Sequence, residues 1–434
     1  MNEEIQTRLR GLPQVDELVR RAAGDEPRWA LVEAARRLVA ERRKQLISGG
    51  DAPEIDADEV RARARELLRP SLRRVVNATG VVLHTNLGRA PLAGRAVERV
   101  AALAGGYSNL ELGEGARGRG SRHEHVRAHL IALSGAEDAL VVNNGAAAVL
   151  VALAGLAGGR EAVVSRGELV EIGGSFRIPE IMRAGGVRLV EVGTTNKTRR
   201  ADYAGAVGPD TAALLKVHRS NFVQLGFVEE ATVAELASIG PPVIVDLGSG
   251  ALAAFGDEPR VGAAIGAGAK VVTFSGDKLV GGPQAGILVG ERAALAQIAA
   301  HPLLRAVRPD KLTLAALEAT LELHREGLAL DEIPALLALS ASAPDLRIRA
   351  EKLAAGRWPV LELTSAVGGG ALPGVELPSW GIVAPGEARA TDAALRAGDP
   401  PIIGRIVDDK LVLDVRSLLS DAELELCARA LERL

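Results

Sequence analysis

Residues 271–286 read VVTFSGDKLVGGPQAG, and the interpretation of the whole chain starts from this stretch. Its first four residues, Val271–Phe274, are apolar or β-branched and predict a short buried strand. Serine, glycine, aspartate and one lysine then follow together in a turn bordered by glycines. We therefore expect Lys278 to have little access to solvent.

A desolvated lysine at a strand end is typical of Schiff-base chemistry, in which the amine reacts with an aldehyde and a neighbouring polar loop holds a cofactor phosphate. Isolated Ser-x-x-Lys motifs also match by chance, so a solvated loop lysine is the alternative. The surrounding chain has to decide between these two interpretations.

Short apolar runs on either side of this stretch alternate with amphipathic helical patterns. Continuously apolar strands separated by helices predict a mostly parallel sheet covered on both faces, in a large α/β domain over residues 76–340. Ligands of such a domain bind at the carboxyl ends of the strands. The runs lie at residues 140–142, 162–164, 187–190, 213–217, 243–245 and 271–274.

Polar residues collect where these strands end. Residues 143–148, NNGAAA, lead into an alanine-rich helix whose N-terminus can bind a phosphate, although an ordinary Asn-capped helix fits equally well. Asp246 follows another strand, one strand–helix–strand unit before Lys278. A lysine, an aspartate and a phosphate-binding helix start are together what pyridoxal 5′-phosphate requires.

The flanking regions predict two smaller domains. Residues 1–75 are helical, with one helix starting near Pro27 and another capped by Asp56 or Asp58. The first of these helices carries a basic face, which consists of Arg36, Arg37, Arg42, Arg43 and Lys44. Residues 341–434 predict an α+β domain with a hairpin at Asp408-Asp409 and a terminal helix.

Composition excludes several functional classes. The net charge of -3 gives no global signal for nucleic acid or membrane, and no apolar run is long enough to span a bilayer. Cys427 is the single cysteine, which excludes an intramolecular disulfide or a cysteine-based metal cluster. His123 and His125 lack the spacing of a helical metal site, so we predict no metal. The N-terminus, MNEE, is acidic and lacks the apolar region of a signal peptide, so we predict a cytoplasmic protein.

Two regions leave their roles open. Residues 112–125 form a basic, glycine-rich segment that predicts either an anion-contacting loop or a solvated one. Arg305 and Arg308 are three residues apart, so they can face one anion together or lie on the surface.

Four longer stretches are far more specific than the single motifs. They are residues 76–92, VNATGVVLHTNLGRAPL; residues 165–179, SRGELVEIGGSFRIP; residues 217–222, VHRSNF; and residues 275–286. Through these stretches the chain resembles, over essentially its whole length, the bacterial selenocysteine synthases, which are L-seryl-tRNA(Sec) selenium transferases.

The resemblance implies a fold type I pyridoxal-phosphate enzyme that converts seryl-tRNA(Sec) to selenocysteyl-tRNA(Sec) with selenophosphate, through a cofactor-bound aminoacrylyl-tRNA intermediate. It also implies a homo-oligomer built from dimers, and a helical domain at residues 1–75 that binds the tRNA.

The resemblance also implies roles for individual residues. Lys278, beside Asp277, matches the lysine that binds the cofactor. Asp246 matches the residue that contacts the ring nitrogen, and Ser275 matches a residue near the phosphate. The other cofactor-binding candidates are Asn144, Gly145, Ala146 and, for stacking on the ring, His218. Arg89, Arg305 and Arg308 match arginines used around the selenium donor. Gly145 departs from the family, which commonly continues the Asn run there.

Competing functions remain. A pyridoxal-phosphate lyase or aminotransferase acting on a small amino acid or sugar acid is the nearest, although similar chains of that kind tend to lack the helical N-terminal region. A cysteine desulfurase is disfavoured because Cys427 lies in the predicted last helix. A non-catalytic nucleic-acid-binding factor is disfavoured by the intact Lys278 and Asp246.

Overall fold

The structure is a computed structural model that describes residues 3–113, 118, 120–172 and 176–434. It divides into two compact units, Met1–Arg74 and Val75–Leu434. Each unit is described separately below. Among the described residues, no helix has both the length and the apolar character needed to cross a membrane.

The N-terminal unit is helical, as predicted. The helices pack around apolar residues such as Leu18, Leu38 and Val60, which are almost completely buried. Asp56 begins the last of them by accepting a hydrogen bond from the backbone N–H of Glu59 at 2.7 Å. The helices are α1 (Glu3–Arg10), α2 (Val15–Arg21), α3 (Arg28–Ile47) and α4 (Ala57–Leu68).

One residue of the predicted basic face points inward. Arg42 is only 9% exposed, and its guanidinium donates to Glu59 at 2.7 Å and to the carbonyl of Pro53 at 3.0 Å. The physical reason is spacing, because Arg42 lies four residues from both Leu38 and Leu46 on the buried stripe of α3. Its assignment to the exposed face was therefore wrong.

The second unit is built on a central sheet of seven strands in the described residues, in the order β2-β10-β9-β8-β7-β3-β6. Only β10 in this sheet runs antiparallel to its neighbours, so the predicted mostly parallel sheet is confirmed. The strands are β2 (Asp138–Val142), β3 (Glu161–Ser165), β6 (Arg188–Val192), β7 (Thr211–Val217), β8 (Val243–Gly248), β9 (Val271–Ser275) and β10 (Gly286–Gly290).

Alternate residues of these strands enter two hydrophobic cores. Val245 and Val272 belong to the core on one face, whereas Ile244 and Val271 belong to the core on the other. Helices cover both faces, which explains why the strand sequences are continuously apolar. The helices are α5 (Gly94–Ala104), α6 (Glu124–Ser134), α7 (Gly145–Ala157), α8 (Ile178–Ala184), α9 (Arg200–Ala206), α10 (Val233–Ala237), α11 (Val261–Gly266), α12 (Arg292–Ala300), α13 (Leu303–Ala306), α14 (Lys311–Glu326), α15 (Ala329–Glu332) and α16 (Pro334–Ser340).

Residues beyond 340 form the predicted α+β arrangement around an antiparallel sheet of order β11-β12-β15-β14. Cys427 is buried in its core, and burial raises the pKa of the thiol to about 12. The elements are α17 (Ala343–Ala354), β11 (Val360–Ala366), β12 (Glu376–Val383), α18 (Ala388–Ala397), β13 (Ile402–Ile403), β14 (Arg405–Val407), β15 (Lys410–Asp414) and α19 (Asp421–Leu431).

The hairpin between β14 and β15 is confirmed, since Asp408 and Asp409 both adopt positive φ, as a two-residue turn of this kind requires. The predicted strand over residues 402–407 is instead interrupted at Gly404. A side chain at Gly404 would lie 2.8 Å from both Leu413 and the carbonyl of Val412. The pairing of β1 (Val76–Asn77) with β13 joins this region to the start of the unit, and the domain boundary near residue 340 stays a prediction.

Candidate active site

Lys278 lies in the turn after β9 and is only 4% exposed. Among the described residues, no hydrogen-bond acceptor is recorded for its amine. Burial lowers the pKa of Lys278, and the charge of Arg89 lowers it further. Asp246, Asp277 and Glu258 oppose this shift without cancelling it. The amine is therefore held in an environment that favours its neutral, nucleophilic form.

Asp246 lies near the end of β8, the strand next to β9, and is 7% exposed. Its Oδ1 atom accepts a hydrogen bond from the hydroxyl of Thr273 at 3.0 Å. Burial raises the pKa of Asp246, which the bond from Thr273 and the charge of Lys278 only partly oppose. A cationic group placed beside a buried carboxylate with a raised pKa stabilises its charged form.

The N-terminus of α7 faces the same space. Asn144 caps this helix by accepting from the backbone N–H of Ala147 at 2.8 Å. The N–H groups of Gly145 and Ala146, at the first positions of the helix, have no acceptor within the helix itself. A side chain on Gly145 would lie 2.4 Å from the hydroxyl of Ser275, so glycine brings that hydroxyl close to the helix start.

These residues share one cavity of about 280 Å³ at the carboxyl ends of the parallel strands. The structure thus brings together the sequence-predicted residues from four separate segments of the chain. The lining residues are Arg89, Asn144, Gly145, Ala146, Val149, Phe176, Asp246, Gly248, Ser275, Asp277, Lys278 and Gln284.

Arg89 enters this cavity from an unusual backbone conformation, with φ of +61°. Two hydrogen bonds fix this turn, from Arg89 N–H to the carbonyl of His84 at 3.1 Å and from Ala90 N–H to that of Asp277 at 3.3 Å. The Nη1 atom of Arg89 contacts both carboxylate oxygens of Asp277, at 3.2 and 3.3 Å. Its charge is thus presented at the cavity beside Lys278.

Three predicted residues lie outside the lining of the cavity. Arg305 is exposed on α13, and Arg308 forms an ion pair with Glu111 at 3.1 Å. His218 lines a neighbouring cavity and places Nε2 3.3 Å from Oε1 of Glu258.

Sequence reasoning missed Phe176 and Gln284, which line the cavity. Phe176 begins β5 (Phe176–Arg177), which pairs with β4 (Glu171–Ile172), and strands this short leave no periodic pattern. Gln284 lies inside the stretch at residues 271–286, but a single glutamine there indicates no particular chemistry.

The glycine-rich region between residues 112 and 125 is only partly described. The predicted anion-contacting loop falls largely on residues 114–117 and 119, outside the described residues, as do residues 173–175 of one family stretch. His123 accepts from the backbone N–H of Val141 at 3.2 Å, and His125 contacts the carbonyl of Leu110 at 3.2 Å.

The parallel sheet and the lysine at its strand ends define an α/β protein with the fold type I architecture. The solved structure of D-glucosaminate-6-phosphate ammonia-lyase shares this fold, with a TM-score of 0.62 over 85% of this chain and 96% of that chain. At 22% sequence identity, this likeness concerns the fold alone.

The chain belongs to the SelA family, L-seryl-tRNA selenium transferase, whose model matches residues 75–419. It is 51% identical to the L-seryl-tRNA(Sec) selenium transferase of Moorella thermoacetica over an alignment of 457 positions, which covers 99% of this chain and 97% of that protein. The corresponding protein of Geobacter sulfurreducens is 49% identical, and the alignment covers 94% of this chain and 96% of that protein.

Proposed function

We propose that this protein converts L-seryl-tRNA(Sec) to L-selenocysteyl-tRNA(Sec), with pyridoxal 5′-phosphate as cofactor and selenophosphate as selenium donor. The observation that carries the proposal is Lys278, a buried lysine with a lowered pKa in a cavity that it shares with Asp246. Membership of the family supports the choice of reaction.

The residues of the cavity fit the cofactor. Lys278 would hold its aldehyde carbon, and Asp246 would pair with the protonated ring nitrogen, which supplies the cation that this buried carboxylate lacks. The N–H groups of Gly145 and Ala146 with the hydroxyl of Ser275 would hold the phosphate. When bound, the cofactor supplies an electron sink for the bonds at the serine Cα.

Phe176 is our candidate for the side chain that stacks on the ring, because it is the aromatic residue among the described lining residues. His218 was the sequence-based candidate, and its position outside that lining favours Phe176 instead. Replacement of Phe176 by Leu should weaken cofactor binding more than replacement of His218 by Leu, as measured by cofactor titration.

Proton transfer falls to Lys278. With the cofactor and substrate bound, a neutral Nζ would be able to accept the proton from the serine Cα and donate it to the departing hydroxyl. The proton removed at one atom is thus returned at the other, and water leaves. Burial lowers the pKa of the amine and so favours the neutral form that can accept a proton.

Selenophosphate is an anion, and Arg89 is the arginine among the described residues that line the cavity. Its planar guanidinium has further N–H donors besides the one directed at Asp277, and these suit phosphate oxygens. Arg305 and Arg308 are not among the described lining residues, so we propose that they serve the cavity of a second copy in a homo-oligomer built from dimers.

Mixing experiments test the shared site. Chains carrying Lys278→Ala and chains carrying Arg305→Ala with Arg308→Ala should each be inactive alone, and mixed oligomers should recover part of the activity. Failure of the mixture to recover any activity, with subunit exchange confirmed by mass, would refute the shared site.

We further propose that residues 1–74 bind the tRNA. Arg36, Arg43 and Lys44 are exposed on α3, and no ion pair is recorded for them among the described residues. Arg37 on the same helix instead pairs with Glu33 at 2.8 Å. The three unpaired cations are the better candidates for phosphate contacts.

Neutralising these three residues by glutamine should weaken seryl-tRNA(Sec) binding and reduce the salt dependence of binding by roughly one unit of slope per residue. Arg37→Gln is the matched control and should have a smaller effect. Cofactor absorbance should stay unchanged in both proteins. Equal tRNA affinity of the triple variant and the parent would contradict this role.

The decisive assay is incubation with seryl-tRNA(Sec) and selenophosphate, followed by identification of the aminoacyl product, with free serine alongside. Selenocysteyl-tRNA(Sec) as product supports the proposal. Turnover of a free amino acid or sugar acid in its place would favour the alternative lyase or aminotransferase. Aminoacyl-tRNAs are made and used in the cytoplasm, so we propose that this protein acts there.

A further inference from the structure

A glycine-rich loop from the C-terminal region covers the side chain of Lys278. Gly370 in this loop has φ of +99°, and a side chain there would lie 2.5 Å from Nζ and 2.7 Å from Cε of Lys278. A side chain on the adjacent Gly369 would meet only Thr85, at an ordinary 3.4 Å. The backbone at Gly370 therefore forms one wall of the space that holds the amine.

Glu258 holds this loop in place. Its side chain is almost completely buried, and Oε2 accepts a hydrogen bond from the backbone N–H of Leu372 at 2.9 Å. Leu372 itself has φ of +47°, a conformation that non-glycine residues adopt at a cost. The bond to Glu258 thus stabilises a backbone that would otherwise relax, two residues from the wall at Gly370.

The other carboxylate oxygen of Glu258 faces a buried polar cluster. Its Oε1 atom lies 3.3 Å from Nε2 of His218, and hydrogen bonds from His218 and Ser249 outweigh burial and lower the pKa of Glu258. Ser220 and Ser249 are themselves buried, at 1% and 0% exposure. A buried carboxylate bonded in this way keeps its charge more readily than burial alone would allow.

Gly248 connects this cluster to the amine. A side chain there would lie 3.5 Å from Nζ of Lys278 and 3.7 Å from the hydroxyl of Ser220, so glycine leaves the path between them open. The charged groups that face Lys278 are Arg89, Asp277, Asp246 and Glu258. Arg89 disfavours the charged amine, whereas Asp246, Asp277 and Glu258, in that order, favour it.

We propose that Glu258 is a positioning residue for Lys278: its bond to Leu372 keeps Gly370 against the lysine side chain, and its other carboxylate oxygen is held by His218. This inference rests on the proposed role of Lys278 as the cofactor lysine. It assigns a function to a residue that lies outside the cofactor cavity.

The two neighbouring glycines provide the first test. Full-length Gly370→Ala and Gly369→Ala proteins are stripped of cofactor, and the rate of its capture by Lys278 is followed by visible absorbance. Gly370→Ala should be slower by roughly tenfold or more, because an L side chain is strained at positive φ and meets the amine. Gly369→Ala should stay within about twofold of the parent. Equal rates for the two variants would overturn the proposal.

Glu258→Gln and Glu258→Ala distinguish the effect of the hydrogen bond to Leu372 from the effect of the negative charge of Glu258. Two measurements that need no cofactor are made: hydrogen exchange at the Leu372 amide, and the pH midpoint for acetylation of the Lys278 peptide by mass spectrometry. Glutamine keeps an acceptor for Leu372, so exchange should stay slow while the midpoint falls, because a negative charge near the amine is lost. Alanine should accelerate exchange and lower the midpoint.

An unchanged Lys278 midpoint in Glu258→Gln, or unchanged Leu372 exchange in Glu258→Ala, would overturn the inference. Failure of the parent protein to capture pyridoxal phosphate at Lys278 would instead overturn the proposed function. The two results are distinguishable because exchange and acetylation are measured in every variant without the cofactor.

Discussion

Two lysines of the same α/β unit, the buried Lys278 and the half-buried Lys216, have opposite surroundings. Lys216 on β7 donates to Glu168 at 2.5 Å and to Glu230 at 2.9 Å. Burial alone would lower the pKa of Lys216, but the charges of these carboxylates outweigh it and the pKa is raised. Lys278 has a lowered pKa and no recorded acceptor among the described residues.

The difference between them is what separates a structural lysine from a reactive one. A buried ammonium stabilises a fold only when carboxylates neutralise it, as they do at Lys216. At Lys278 the nearby carboxylates are committed elsewhere, Asp277 to Arg89 and Asp246 to Thr273. The cost of that arrangement is tolerated where the neutral amine performs chemistry.

The largest expected effect is on turnover. Lys278→Ala should lower the rate of selenocysteyl-tRNA(Sec) formation by roughly 10⁴-fold or more, because both the cofactor attachment and the general base are lost. Lys216→Met should retain most of the parent activity per folded molecule. Borohydride reduction of the parent should attach the cofactor to the peptide containing Lys278 and leave Lys216 unmodified.

Substantial turnover by the Lys278→Ala protein, or attachment at Lys216, would break the comparison. The absorbance of the lysine-bound cofactor provides the matching control, since it should disappear only in the first variant.

The next effect concerns stability. Lys216→Met should lower the free energy of unfolding by about 3–5 kcal/mol, because it leaves the carboxylate of Glu168 buried without its cation. Denaturant titration of the cofactor-free proteins measures this change. Glu168→Gln combined with Lys216→Met should recover part of the loss, and a double variant as unstable as the single one would show that the pair is not the cause.

Asp246→Asn should have a smaller effect. Loss of a charge-assisted contact to the ring nitrogen is worth about 1.5–3 kcal/mol, or roughly ten- to a hundredfold in cofactor affinity. Titration of cofactor-free protein with pyridoxal phosphate measures it. Thr273→Val is the control for the buried hydrogen bond alone, and it should weaken binding less; the reverse order would assign the contact to Thr273.

Much of the fold and the centre of the site could be predicted from the sequence for one physical reason. Continuously apolar strands require a sheet covered on both faces, and parallel strands bring their carboxyl ends to one edge. Lys278, Asp246 and Asn144 follow three such strands, so their convergence was implied by the pattern. Their chemical types then indicated the cofactor.

Residues from irregular segments could not be found in this way. Glu258 and Gly370 reach Lys278 through packing between distant loops, which no periodicity encodes. Phe176 lies in a two-residue strand. Arg42 has the residue type of a surface position, and only its spacing from Leu38 and Leu46 together with a carboxylate partner, Glu59, identifies it as buried.

The smallest predicted effect distinguishes the two lysines through pH. In the cofactor-free protein the pKa of Lys278 is below its ordinary value of 10.5, so the unfolded chain binds the proton more tightly than the folded one. Each unit of this lowering costs about 1.4 kcal/mol of stability at pH values where both states are protonated. Lys278→Met should therefore increase the stability of the cofactor-free protein, most strongly at pH values below the pKa of Lys278 in the folded state. This increase in stability should become smaller as pH rises towards 10.5.

Lys216→Met is the control with the opposite sign. Because the pKa of Lys216 is raised, its stabilising contribution is fully present below 10.5 and is lost only as pH rises above that value. With Glu168→Gln added, so that this buried carboxylate no longer titrates, the loss of stability on removing Lys216 should thus be independent of pH between pH 6 and 9. Thermal unfolding of both variants across this range measures the two trends. A gain for Lys278→Met that does not decrease with rising pH would mean that the folded protein holds Lys278 as a charged group, which would remove its distinction from Lys216.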